Sequence, residues 1–156
     1  MTALSITIAD LVVAAINNSD IDAGERYEAV RSFAEWSEVL EDFGVLHVDA
    51  VPVFNPATEL ETRGTVSYKQ AVDIAIRKRL GPEYRNESGR LDVTKLDSLV
   101  AFVEAVHDYF VTDRFTNTEI TWLSSEIRAL FTREQLRENH QFLGIVRLTF
   151  EAVKSL

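Results

Sequence analysis

The chain has 156 residues, no cysteine and a formal net charge of −9, with 46% hydrophobic and 26% charged residues. Folding at this length buries roughly 68–70% of the surface of the unfolded chain, so a single domain over residues 1–156 can form its own core. The lack of cysteine excludes disulfides, thiolate nucleophiles and cysteine-based zinc sites. The negative charge repels nucleic-acid phosphates over the whole surface and argues against specific DNA or RNA binding.

The N-terminal segment does not look like a secretory signal, because it has no basic opening and Asp10 interrupts its apolar run. No stretch approaches the roughly 20 apolar residues that are needed to span a bilayer. We therefore expect a soluble protein that is made in the cytoplasm and has no membrane partner.

Helical spacing of apolar residues predicts one helix over residues 7–18 and a second over residues 93–110, with Asp92 as the N-cap of the second. Alternating and β-branched residues predict strands over 27–34, 45–53, 65–80, 121–131 and 142–154. The fourth of these runs also fits a helix. The expected fold is therefore α+β, with a mixed, largely antiparallel sheet of about four or five strands and helices packed on one face.

The run over residues 65–80 organises this prediction, because its side chains alternate over a length well beyond the usual five or six residues. We expect it to be the central strand, with one buried face and one polar face. The polar face ends in Arg77 and Arg79, which indicates either a solvated strand end or a site for ion pairs with a partner.

The predicted core combines apolar residues from both helices and from the three strongest strands. It contains Leu11, Ile16, Val48, Val72, Ile74, Ile76, Leu99, Val103, Val106, Val146 and Leu148.

Residues 54–64 are predicted to form a long loop that returns the chain into the central strand. Hairpin loops usually need two to five residues, and longer loops are often functional. We expect this loop to contact a neighbouring subunit or another protein. The candidate interface residues are Phe54, Asn55, Glu59, Glu61, Arg63, Arg77 and Arg79.

The sequence contains no pattern that is typical of a catalytic, cofactor or metal site. Residues 18–24 resemble a calcium loop, but Ala23 stands where the loop needs glycine and Ala29 where it needs the closing glutamate. The three histidines, His47, His107 and His140, have no second ligand at strand or helix spacing. We expect no catalysis, no cofactor and no bound metal.

The order of elements and several short phrases resemble the tail terminator, or tail completion, proteins of long-tailed bacteriophages. The phrases are VRSF at 30–33, LHVDAVPV at 46–53, VDIAIRKR at 72–79 and LFTREQLRENHQFLGIVRLTFE at 130–151. The resemblance implies a structural virion protein at the neck of the tail that assembles into a ring, a hexamer in that family. Its implied partners are other copies of itself, the tail tube protein and the head–tail connector protein, with DNA only as passing cargo.

Two alternatives remain open at this point. The first is another head–tail joining or tail-tube-like virion protein, which would polymerise differently. The second is a small cytosolic enzyme or ligand-binding module, which a deep pocket with convergent polar groups would favour.

Overall fold

The computed structural model describes residues 3–33, 38–53, 57–62, 64–112, 114–115 and 119–155. In chain order the elements are α1 (Leu4–Asn17), β1 (Ala29–Arg31), β2 (Leu46–Pro52), β3 (Ala57–Thr62), β4 (Thr65–Arg79), two 3-10 turns (Pro82–Tyr84 and Val93–Leu96), α2 (Asp97–Tyr109), β5 (Ile120–Ala129), α3 (Arg133–Glu138) and β6 (Gln141–Ser155).

The strands form one mixed sheet in the order β1-β2-β4-β6-β5, and β3 also pairs with β4. Only the β1–β2 pair is parallel, whereas the other pairs are antiparallel. β4 is the central strand, because β6 pairs with all of its 15 residues on one side while β2 and β3 share the other side. The predicted α+β class, with a largely antiparallel sheet, is confirmed.

The helices pack on one face of the sheet, here called the helix-covered face. On β4 this face carries the even-numbered side chains, so that Ile74 and Ile76 lie in the same hydrophobic cluster as Ile8 and Val12 of α1 and Val103 of α2. Of the predicted core residues all but Leu11 are buried, and Leu11 packs partly buried against the same cluster. Val146 faces Ile74 across the β4–β6 ladder, which places β6 in this core as predicted.

The other side of the sheet, here called the opposite face, carries the odd-numbered side chains of β4. It was predicted to be the polar face, with only the other face buried, and its burial corrects that prediction. Ser67, Asp73, Ala75 and Arg77 are all buried. A second, small hydrophobic cluster forms there around Ala75 and its neighbours on β6. The physical reason is that cross-strand ion pairs and small apolar side chains fill this face.

Several boundaries differ from the predicted ones. β1 is three residues long instead of spanning 27–34, and it pairs only with β2. At its first residue, Ala29, the backbone is held by the Asn17 side chain through two hydrogen bonds of 3.0 and 2.8 Å. The second helix begins with a 3-10 turn, and there Asp92 accepts a hydrogen bond from the Thr94 amide, as its N-cap role requires. The hydroxyl of Thr94 also donates to Asp92 and lowers the pKa of that carboxyl.

Residues 54–64 do not form one long loop, because β3 occupies most of this stretch and forms a hairpin with β4. Gly64 lies in the turn between them, and Thr62 pairs with Thr65 after a bulge. The polar composition of 57–62 concealed this strand, since β-branched and aromatic residues are the usual strand signal. Of the five interface candidates in this segment, Glu59 and Glu61 belong to β3, whereas Phe54, Asn55 and Arg63 lie outside the described residues.

Candidate interaction surfaces

Arg77, predicted to reach a partner, is instead committed within its own subunit. Its Nη2 donates to Asp49 Oδ2 at 2.6 Å, and both side chains are only 6% exposed. The two residues lie on neighbouring strands and on the same face, two positions out of direct register, since Asp49 stands directly opposite Ala75. A buried guanidinium that is paired in this way cannot serve a neighbouring subunit, so Arg77 is not an interface residue in this structure.

Arg79 also turns inward, onto the segment that precedes β2. Its Nη1 donates to the Leu40 carbonyl at 2.9 Å, and its guanidinium lies 4.1 Å from the centre of the Phe43 ring. The fully buried side chain of Gln141 holds the same segment, accepting from the Leu40 amide at 2.9 Å and donating to the Glu38 carbonyl at 3.2 Å. Residues 38–43 are therefore fixed against the end of the sheet by two side chains.

A second ion pair crosses the opposite face between β4 and β6. Arg147 donates to both oxygens of Asp73, at 2.7 and 2.9 Å, and Asp73 is almost fully buried. These hydrogen bonds to Asp73 raise the pKa of the Arg147 guanidinium despite its partial burial. Glu126 of β5 stands directly across from Arg147, which extends the row of charges toward the sheet edge.

Lys78 is the one charged side chain at the end of the helix-covered face of β4. Its Nζ donates to Glu25 Oε2 at 2.6 Å and lies 5.4 Å from the centre of the Tyr84 ring. Burial lowers the pKa of Lys78, but hydrogen bonds with Glu25 and Tyr84 outweigh it, so the pKa lies above its ordinary value. This contact ties the segments after α1 and after β4 to the sheet.

The histidines are dispersed, as the sequence predicted. His47 lies 3.1 Å from Asp42, His107 Nδ1 lies 2.9 Å from the Ser125 hydroxyl, and His140 contacts Arg85. Among the described residues no group of three or more histidine, aspartate or glutamate side chains is placed to hold a metal ion.

The two edges of the sheet carry exposed apolar side chains. At the β1 edge Val30 is 46% exposed and Phe33, just beyond the strand, is 69% exposed. At the β5 edge Leu123 is 42% exposed, and Phe131 follows the strand with 42% exposure. Within the described residues β1 pairs only with β2 and β5 only with β6, so neither has a strand on its other side, and on β1 the Asn17 side chain bonds the backbone of Ala29 there. Unpaired strand edges with apolar side chains are templates for association.

A basic cleft lies at the end of the sheet where β4 ends and β6 begins. It is lined by Arg85, Leu91, Arg133, Leu136, Arg137 and His140. The cleft was not predicted from the sequence, because Arg85 lies far along the chain from α3. The available signal was the spacing of Arg133 and Arg137, which places two cations on one side of a helix.

No model of a known protein family matches this chain, and no curated protein matches it. None of the helices in the described part of the chain is long and apolar enough to cross a membrane.

Proposed function

We propose that this protein is a structural virion protein of a long-tailed bacteriophage, a tail terminator that forms a ring at the neck of the tail. The ring ends polymerisation of the tail tube and presents a surface to the head–tail connector. The resemblance of VRSF, LHVDAVPV, VDIAIRKR and the C-terminal 130–151 segment motivates this proposal. The α+β fold with a long central strand supports it.

The observation that carries the proposal is the pair of unpaired, apolar sheet edges. The strand order places β1 and β5 at opposite ends of the sheet, and each edge exposes apolar side chains. When two different surfaces of identical subunits meet, the contact is heterologous and generates a ring if the rotation closes. A closed ring covers the β1 and β5 edges of every subunit, whereas a monomer leaves both exposed. The proposed stoichiometry, a hexamer, comes from the resemblance.

The β3–β4 hairpin supplies the proposed contact with the tube or the connector. It occupies the end of β4 away from the basic cleft, since β2 pairs with the other half of that strand. Glu59 and Glu61 lie on this hairpin and remain interface candidates. The net charge of −9 suits a ring through which DNA passes without being retained.

The catalytic alternative has less support from the described side chains. Buried carboxylates such as Asp49 and Asp73 are held by arginines, and His107 contacts the Ser125 hydroxyl. General acid–base chemistry needs a titratable group that is positioned next to a reacting atom, and ion-paired carboxylates serve this role poorly. We therefore keep the non-enzymatic proposal.

The test combines purified protein with the cognate tail tube protein and measures tube length by electron microscopy. Wild-type protein is expected to cap the tubes and shorten their length distribution. A Val30→Glu variant at the β1 edge is expected to lose capping, whereas Val93→Glu, which changes an even more exposed valine (68%) outside β1 and β5, is not. Tubes of unchanged length in the presence of wild-type protein would contradict the terminator function. Indefinite polymers of the protein itself would favour a tube-like protein instead.

A further inference from the structure

The basic cleft concentrates positive charge in an acidic protein. Three of its six lining residues are arginines, two are leucines, and the sixth is His140. The cleft has a volume of about 370 Å³, and no carboxylate is among its lining residues. This combination of a cationic rim and an apolar floor suits a peptide segment that carries both carboxylates and apolar side chains.

Hydrogen bonds to uncharged groups hold the cleft in shape and leave its arginine charges unneutralised. Arg85 donates to the Gly89 carbonyl at 3.0 Å and to the ring of His140. His140 has a φ of 50°, the left-handed region that non-glycine residues seldom adopt, and its carbonyl accepts a hydrogen bond from the Leu80 amide at 2.7 Å. Backbone strain of this kind is often found where a binding site is pre-organised.

The remaining two arginines project from α3 on the cleft side. Arg133 and Arg137 are four positions apart and therefore lie on one side of the helix. Each is followed by a glutamate, Glu134 or Glu138, which points about 100° away around the helix axis. Glu138 lies 3.6 Å from Arg137, but both side chains are largely exposed, and such surface pairs contribute little. Both arginines thus remain available to a stronger acidic partner.

A surface of the complementary kind is present on the same chain. Residues 38–43, here called the acidic segment, read Glu-Val-Leu-Glu-Asp-Phe. Its three carboxylate residues are exposed, and so are Val39 and Phe43, at 43% and 56%. Hydrogen bonds from Gln141 and Arg79 already order its backbone, so little conformational entropy is lost on binding.

We propose that the basic cleft of one copy receives the acidic segment of a second copy. This contact rests on the proposed ring and specifies how neighbouring subunits fit together. Both surfaces lie at the end of the sheet where Arg79 pairs with Gln141, so a rotation about an axis along the strands keeps them at the same height. The cations that fix the register of the subunits are then Arg85, Arg133 and Arg137.

Charge reversal on each surface tests the contact by analytical ultracentrifugation. Arg133→Glu with Arg137→Glu, and separately Glu38→Arg with Glu41→Arg, are each expected to weaken self-association at least about tenfold. Mixing the two variants in equal amounts is expected to restore association, because the reversed charges again meet opposite ones. Glu104→Arg with Asp108→Arg places the same charge change as the Glu38/Glu41 variant on the exposed side of α2 and serves as the control for it. Failure of the mixture to recover association would overturn the proposal.

Disulfide cross-linking provides a second test of the contact, because the chain has no cysteine of its own. A variant with Glu41→Cys and Arg137→Cys is expected to give a ladder of oligomers on mild oxidation, whereas either single variant gives dimers at most. Absence of the ladder, or a cross-link only within one chain, would overturn this contact. If the tubes are still capped in that case, the terminator function stands without it. If the ladder forms and the tubes are not shortened, the contact stands and the terminator function fails.

Discussion

The two faces of the central sheet are buried by different means. On the helix-covered face, side chains such as Ile74 and Val146 pack against α1 and α2 in one large apolar cluster. On the opposite face, buried carboxylates and guanidinium groups pair across the strands and flank a small apolar patch around Ala75 and Ile145. The same strand therefore faces hydrocarbon on one side and ion pairs on the other.

The two faces should therefore lose stability in different ways when a residue is mutated. An apolar contact loses free energy in proportion to the surface and cavity that a mutation creates. A buried ion pair contributes little beyond its desolvation cost, yet removal of one partner leaves an uncompensated charge. Replacement of one residue of the Asp49–Arg77 or Asp73–Arg147 pair should thus destabilise the fold strongly. Replacement of both residues of a pair by apolar ones should destabilise it much less.

The largest expected effect concerns Asp49. An Asp49→Ala variant leaves the buried Arg77 guanidinium without this carboxylate and should lower the free energy of unfolding by about 3–5 kcal/mol, measured by urea denaturation. Replacement of the pair, with Asp49→Leu and Arg77→Met, should recover most of that loss. A double variant as unstable as the single one would show that the pair is a net source of stability.

On the helix-covered face, Ile74→Ala should cost about 2–5 kcal/mol, because Ile74 is fully buried beneath the helices. Lys69→Ala changes an exposed residue of the same strand and should stay within about 0.5 kcal/mol of the wild type. Thermal unfolding of the two variants in parallel measures the difference. Equal melting curves would mean that this face of β4 does not form the core.

The core of the helix-covered face could be predicted from the sequence, because apolar periodicity reports which residues share a buried side. The long alternating runs gave β4 and β6 almost to their ends, and Val48 and Val72 are buried as expected. β3 was missed, since residues such as Glu59 and Glu61 carry no apolar alternation.

The opposite face could not be predicted, because its pairs depend on strand order. Asp49 and Arg77 are 28 positions apart, and Asp73 and Arg147 are 74 apart. Nothing in the local pattern of β4 reveals that carboxylates and guanidinium groups of other strands stand beside it. For the same reason Arg77 was assigned to a partner, and the cleft beside α3 was not foreseen.

Gly144 tests how tightly the helix-covered face is packed. A Cβ atom at this position would lie 2.5 Å from Val103 Cγ2 and 3.2 Å from the Leu130 carbonyl oxygen. Gly144→Ala should therefore destabilise the fold by about 1–3 kcal/mol through overpacking. Addition of Val103→Ala removes the nearer atom and should return part of the loss, as measured by chemical denaturation. If Val103→Ala instead destabilises the Gly144→Ala variant as much as it destabilises the wild type, the added methyl group does not clash with Val103. That result would mean that α2 shifts to make room for it.

The smallest expected effect is at Lys78, a charged residue on the otherwise apolar end of the helix-covered face. Lys78→Met should cost about 1 kcal/mol at neutral pH, because the lost hydrogen bond to Glu25 is partly offset by the avoided desolvation of the ammonium group. The pKa of Lys78 is raised in the folded state, so its contribution is complete below the ordinary lysine pKa of about 10.4 and is lost as the pH rises through the folded value.

The measurement is the difference in unfolding free energy between wild type and Lys78→Met as a function of pH. The difference should stay constant from neutral pH up to about pH 10 and shrink above it. Glu25→Gln serves as the matched variant, since it keeps the lysine but removes the carboxylate that raises its pKa. With that carboxylate gone, the pKa of Lys78 is raised less in the folded state, so the stability lost above about pH 10 should be smaller. A difference that stays unchanged above about pH 10 would mean that Glu25 and Tyr84 do not hold Lys78 in its charged form.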